Sequence, residues 1–415
     1  MVSDGMSQGT LTLADMARRT REGRASHWVS LWEREGAARA MCRTHALDSL
    51  VTDSAAAGSA WGCGLHVNNG SINTTPDGRT PTPLLVHARA QGKATGLVST
   101  TRITHATPAS FIANAPSRER EGEIARQILD RGVDVALGGG ANRFDREDLA
   151  GRERLEVVRG ASELRNAERD GALLGLFADS HMSYELDRGD DEPSLRDMTR
   201  AALARLDRAP GGFVLQIEGG RVDHAAHAND AASLVADQLA FDDALADVIE
   251  YVDARDDTLL IVTTDHGNAN PGLTVYGEAG EKGMERLAGA RQSFEWIERQ
   301  LAGAGSRREM MSVLPLLVYQ ATGIELSDSD RAWLHRHLVE RERADGFVEV
   351  RGLGPALGGV LANTLGVAFL SPNHTADYVE VTAIGPGSER LAPVIDNIDL
   401  HRLVVESLDL APAGA

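Results

Sequence analysis

Phe213-Val-Leu-Gln-Ile-Glu218-Gly-Gly-Arg-Val-Asp223-His224-Ala-Ala-His227 is an apolar run that stops at a carboxylate and gives way, after two glycines, to a helical pattern. Short apolar runs followed by helical stretches recur at residues 50–52, 96–99, 133–137, 172–177, 212–217, 258–263, 367–370 and 379–383. This alternation predicts parallel strands joined by crossover helices, an α/β fold. In open α/β sheets ligands gather beyond the carboxyl ends of the strands, so polar residues at those ends mark the place to look for chemistry. Asp223 and His227 stand at i and i+4 on one helix face, where they could grip one metal ion or be no more than surface decoration.

Other strand ends carry the same residue types. Leu259-Leu-Ile-Val-Thr-Thr-Asp265-His266-Gly267 ends in an adjacent acid and imidazole, Ser371-Pro-Asn-His374-Thr375 adds another histidine, and Asp4 closes a short N-terminal strand. Asp53-Ser54-Ala-Ala-Ala-Gly58 sets a serine at the start of a helix. The backbone N–H groups and the dipole there favour an oxyanion or phosphate, although Asp53 or Ser54 could equally serve only as the helix cap. These carboxylates and imidazoles are scattered in sequence but are all predicted on one sheet edge.

A chain of 415 residues is longer than one typical core, which suggests two units or one large α/β domain with an insertion. From 272 to 366, helix-like stretches at 292–303, 308–322 and 327–341 follow one another with no strand expected between them. The reading is an inserted, mainly helical cap subdomain at 272–366, with Ser327 as an N-cap, inside a catalytic α/β domain at 1–271 and 367–415. A net charge of -19 without a basic patch argues against nucleic-acid binding. No apolar run approaches the roughly 18 residues of a membrane span. Cys42 and Cys63 could form one bridge or remain free.

In chain order, Asp4-Gly5-Met6, Thr52-Asp53-Ser54-Ala55, His105-Ala-Thr107-Pro-Ala, Arg118, Val135-Ala-Leu-Gly-Gly-Gly140, Gln216-Ile-Glu218-Gly, Asp223-His224-Ala-Ala-His227, Thr264-Asp265-His266-Gly267, His374-Thr375 and Asp396-Asn-Ile-Asp-Leu400 closely resemble the motifs of the alkaline phosphatase family. Only the helical insert falls outside the resemblance. It implies a three-layer α/β/α fold with a mostly parallel central sheet. The implied enzyme is a phosphomonoesterase that works through a phosphoserine on Ser54, with two Zn2+ and one Mg2+ per chain. Asp223, His227 and His374 would hold the first zinc; Asp4, Asp265 and His266 the second; Asp4, Thr107 and Glu218 the magnesium, whose preference is for oxygen. Arg118 would fork two phosphate oxygens, with Asp53, His105 and His224 close by.

His105 and His224 stand where some family members carry Asp and Lys, which leaves the ion at the third site open. A sulfatase would need x-Pro-x-Arg after its nucleophile, which Ser54-Ala-Ala-Ala-Gly58 lacks, and diesterases usually lack the arginine and the third metal site. The resemblance further implies small phosphate monoesters as substrates, a start truncated relative to the family, and export to a periplasm or the cell exterior. A homodimer is one assembly it leaves open.

Overall fold

The computed structural model describes residues 1–168, 170–342 and 348–410. Its central sheet is made of β1 (Ala38–Arg43), β2 (Ala94–Arg102), β3 (Val135–Gly139), β4 (Leu155–Val158), β5 (Ala172–Leu176), β6 (Phe213–Glu218), β7 (Leu260–Thr263), β8 (Val379–Ile384) and β9 (Val394–Asp396). One half runs β4-β5-β3-β2-β6, all parallel, and the other β9-β1-β8-β7, with β8 antiparallel to both neighbours. Val2 joins the halves by pairing in parallel with Glu218 on one side and Thr263 on the other. Val2 N–H donates to Ile217 O and Ser3 N–H to Thr263 O.

Burial on both faces explains why the parallel strands read as continuous apolar runs. Leu97 and Val98, adjacent on β2, enter different cores. Val98 packs with Trp28, Leu203 and Phe241 beneath the helices Leu195–Leu206 and Ala231–Asp253. Leu97 packs with Ala55, Ile112 and Ile124 beneath Ser54–Cys63, Ala106–Ile112 and Glu121–Asp130. The fold is thus the α/β/α arrangement with a mostly parallel sheet that the sequence implied.

Two expected strands are corrected. Residues 50–52 form a loop, with Leu50 82% exposed, because that apolar run lies on the surface. The strand of that region is β1, in which Ala40 and Cys42 point inward between Arg39 and Arg43. Instead of a strand over 367–370, only Val367–Ala368 is extended, and it pairs with Gly272–Leu273 outside the central sheet. That pairing clamps the two ends of the segment 272–366 together.

Within the insert, the expected N-cap is present: Ser327 accepts from Asp330 N–H at the start of the helix Asp328–His337. Expected to run to 341, that helix stops at His337, and Val339–Glu342 pairs antiparallel with Val348–Arg351 where no strand was foreseen. The partner strand takes the backbone groups that a longer helix would have used internally. Leu287, Phe294, Ile297, Leu314, Val318 and Leu357 of the segment 272–366 share one core with Leu13, Ala17, Val235 and Leu239. Cys42 and Cys63 are both free.

Candidate active site

Three adjacent strand segments deliver three acids to one point. β6 ends at Glu218, the Val2 segment runs into Asp4, and β7 is followed by Asp265-His266. Asp265 Oδ1 accepts from Gly5 N–H at 3.0 Å and from His266 N–H at 3.1 Å. Gly5 must be glycine on two counts: its φ of +65° is left-handed, and any Cβ would run into Asp223 Oδ1. Asp223 arrives from the first turn of the helix Arg221–His227 and is held by Asn268 Nδ2 at 2.7 Å.

Ser54 begins the helix Ser54–Cys63, capped by Asp53, whose Oδ1 accepts from Ala56 N–H at 3.0 Å. The capping reading is therefore correct, and it does not exclude the other: Ser54 Oγ lies 3.2 Å from His266 Nε2. Gly58 and Gly62 let this helix press against Ser110, so that it lies against the helix Ala106–Ile112, which carries Thr107. Thr107 Oγ1 donates to Asp4 Oδ2 at 3.3 Å.

The groups sort into clusters whose ligating atoms lie within 4.8 Å of one another: Asp223, His227 and His374; Asp4, Asp223 and His266; and Asp4, His105 and Glu218. Asp265 Oδ2 adds to the second from 3.2 Å off His266 Nε2. His227 Nδ1 donates to Pro372 O at 2.7 Å and His374 Nδ1 to Thr52 O at 2.8 Å. Each backbone carbonyl takes the Nδ1 proton, which leaves the two Nε2 atoms facing each other 3.0 Å apart, a contact that needs a proton or a metal cation between them.

Four carboxylates, Asp4, Glu218, Asp223 and Asp265, are buried together, an arrangement that carries a large desolvation cost unless cations balance it. Burial, reinforced by the other acids, pushes the Asp4 carboxyl well above its usual range. Burial likewise raises Asp265 to about 6 and Glu218 to about 7. Asp223 is the exception: burial pushes it up, but His227 and His374 outweigh that and hold it well below. Asp4 Oδ1, both Glu218 oxygens and Asp265 Oδ2 are buried without a hydrogen-bond partner. Unpaired acid oxygens beside imidazole nitrogens that converge on one another make a donor set that fits divalent cations.

Arg118 Nη1 donates to Asp53 Oδ2 at 2.9 Å and Nη2 to His105 Nε2 at 2.9 Å, which aims the guanidinium across the mouth of the site. His105 and His224 join a residue that sequence reasoning missed. His181, just beyond the β5 end, completes a cluster of three imidazoles, with its ring 4.4 Å from that of His224 and 5.3 Å from that of His105. Its position after a strand end was the available signal. Burial drives all three well below the usual imidazole range, so they are neutral, and Arg102, Arg118 and Arg221 each donate to one of them.

A sequence model of the family described as Alkaline phosphatase matches residues 1–410, so the segment 272–366, expected to fall outside the resemblance, lies within the match. Alkaline phosphatase 4 of Bacillus subtilis is 30% identical over 423 aligned positions, spanning 98% of this chain and 87% of its own. Among solved structures, the alkaline phosphatase of Thermus thermophilus superimposes with a TM-score of 0.88 at 34% identity, covering 99% of this chain and 90% of that one. A substituted TAB5 alkaline phosphatase, described with Mg bound in its M3 site, shares the fold at 21% identity and a TM-score of 0.68, covering 99% of this chain and 96% of that one.

Proposed function

The chain belongs to the alkaline phosphatase family, a family of metal-dependent phosphomonoesterases, and from that premise we propose that it hydrolyses phosphate monoesters through a phosphoserine on Ser54, using two zinc ions and one magnesium. The observation that carries the reading is the convergence of Ser54 Oγ, His266 and four buried acids at the ends of neighbouring strands. Asp223, His227 and His374 would hold one zinc, and Asp4, Asp265 and His266 the other. When bound, the pair would supply the positive charge that stabilises the attacking and leaving oxygens of an in-line displacement.

The chain's own groups do the rest. Ser54 Oγ, at the N-terminus of its helix and beside the neutral His266, attacks phosphorus and becomes esterified while the alcohol departs; water then breaks the Oγ–P bond from the vacated side and releases inorganic phosphate. Arg118 spreads the charge of the equatorial oxygens through both displacements. Its supports, Asp53 and His105, preorganise the fork. Nothing in that account selects one alcohol over another, so small monoesters as a class are the substrates. Export to a periplasm or the cell exterior belongs to the same reading and rests on the family resemblance alone.

Arg118→Ala is expected to lower kcat/KM by about 10²-fold and to weaken inhibition by inorganic phosphate, through loss of a bidentate, charge-assisted contact. Steady-state kinetics with p-nitrophenyl phosphate check this, and unchanged phosphate inhibition would remove Arg118 from the site.

For the third ion the reading is magnesium held by Asp4, Thr107 and Glu218. Because Arg118 donates to His105 Nε2, the His105 proton sits on Nδ1, which offers a donor where the waters of a hydrated cation, themselves donors, call for an acceptor such as a carboxylate. His105→Asp should therefore strengthen magnesium binding and reduce inhibition by excess zinc. Magnesium activation curves measured at rising zinc would show it; an unchanged curve would mean that His105 does not tune this site. The helical segment 272–366 is proposed to act as a cap on access, since it is spliced between His266 and His374.

A further inference from the structure

Away from the strand-end cluster, His45, His66 and Asp396 bring ligating atoms within 4.8 Å of one another from three separate segments. His45 lies just past β1, His66 just past the Ser54 helix, and Asp396 at the end of β9, capping the helix Asn397–Ser407. The two imidazoles stack with centroids 4.3 Å apart and both turn Nε2 toward the carboxylate, 3.3 Å from Oδ2 for His45 and 3.0 Å from Oδ1 for His66.

The hydrogen bonding around this trio is incomplete in an informative way. His45 Nδ1 lies 3.1 Å from Ala46 O, a carbonyl that can only accept, so Nδ1 carries the proton. His45 Nε2, 3.3 Å from Asp396 Oδ2, is then the nitrogen turned toward the carboxylate, and a cation between the two would be held by both. Asp396 Oδ1 is buried and accepts no hydrogen bond, even with His66 Nε2 beside it. One divalent cation placed among the two imidazole nitrogens and the carboxylate would satisfy all three groups at once. The two nitrogens approach different oxygens of Asp396, at 3.3 and 3.0 Å, near the edge of about 3.3 Å between ligands of tetrahedral zinc with bonds of roughly 2.0–2.1 Å. One ligating atom from each residue lies within 4.8 Å of the others. A backbone carbonyl orienting the far nitrogen is also the usual support of a metal-bound histidine.

We propose that His45, His66 and Asp396 form a zinc-class transition-metal site, separate from the catalytic centre and with one position open to water. Two imidazoles and one carboxylate select zinc over magnesium or calcium. Side-chain exposures of 39%, 18% and 24% make the site reachable from solvent without unfolding. Its place in the fold gives it a task. The loop from His45 to Asp53 leads directly to the nucleophile, and it is sewn to the segment after the Ser54 helix by Leu47 N–H to Val67 O, Asn69 N–H to Asp48 and Asp53 N–H to Asn69. A metal here ties both segments to the helix Asn397–Ser407 and adds to the stability of that corner of the fold.

The test compares holoenzyme with a His45→Ala/His66→Ala variant, both dialysed against micromolar zinc with excess magnesium. Wild type is expected to retain one more zinc per chain and to gain melting temperature on zinc addition, while the variant keeps wild-type turnover of p-nitrophenyl phosphate. Single His66→Ala should weaken that extra zinc by about 100-fold or more, and His66→Cys, which restores a ligand, should recover it. Equal zinc content in wild type and variant overturns the proposal, and a difference in melting temperature without a difference in zinc reduces the trio to an ion pair and overturns it equally. Because Ser54 and the strand-end ligands are untouched, this outcome is independent of whether the catalytic reading holds.

Discussion

Ser54→Ala is expected to abolish the covalent phosphoenzyme and to lower kcat by at least about 10³-fold, while the metal content stays nearly intact. The reason lies in the division of labour within the site. Ser54 Oγ touches only His266 among the strand-end groups, whereas the acids and imidazoles of the clusters are held by Gly5, Asn268, Pro372 and Thr52 and do not depend on the serine. Acid-quenched labelling with radioactive phosphate reads the intermediate directly. Label retained by the alanine variant would place the nucleophile elsewhere.

Stripping the metals with a chelator should eliminate activity and lower the melting temperature by on the order of 10 °C, because the four buried carboxylates then lose their balancing charge. The loss should deepen as pH rises from about 6.5 to about 9, and the sign follows from the histidines. His227 is penalised by burial, but Asp223 beside it outweighs that and raises the imidazole from 6.5 to about 9. The stability it contributes to the metal-free fold is therefore complete below 6.5 and is lost as pH climbs through 9, by about 1–2 kcal/mol after allowance for its 39% exposed side chain. His374 is raised in the same direction, and Glu218, raised to about 7, loses its proton at the lower end of the window. The buried neutral His105, His224 and His266 have their effect only below 6.5, where they oppose the trend. The loaded enzyme should be nearly flat over this range, since bound metal replaces those protons. Thermal denaturation with and without chelator at four or five pH values checks both claims; a metal-free protein that grows more stable toward pH 9 would refute the electrostatic account.

Much of this site was legible because chemistry and strand ends coincide. Glu218 and Asp265 terminate apolar runs that only a buried strand explains, and Asp223 and His227 share a helix face by spacing alone. His181 follows a strand end, but Ser180-His-Met-Ser reads as an ordinary polar loop, and only the sheet, by bringing it beside His224, gives it a place in the site. β1 escaped because its inward residues alternate with arginines, and the exposed run at Leu50 and Val51 took its place in the reading. The helical stretches of 272–366 were legible, but not what they pack on. Leu13, Ala17 and Val235 are far away in sequence, and nothing local to 272–366 names them as partners. His45, His66 and Asp396 are likewise separated along the chain and meet only because β9 lies beside β1.

The most direct test of the central claim, that Ser54 works between two zinc clusters at the strand ends, is anomalous diffraction at the zinc edge from crystals of the phosphate-bound enzyme prepared in excess magnesium. The account predicts full zinc peaks among Asp223, His227 and His374 and among Asp4, Asp265 and His266, with phosphate spanning them against Ser54 Oγ and Arg118. Phosphate bound elsewhere, or the absence of either peak within the strand-end cluster, would contradict it.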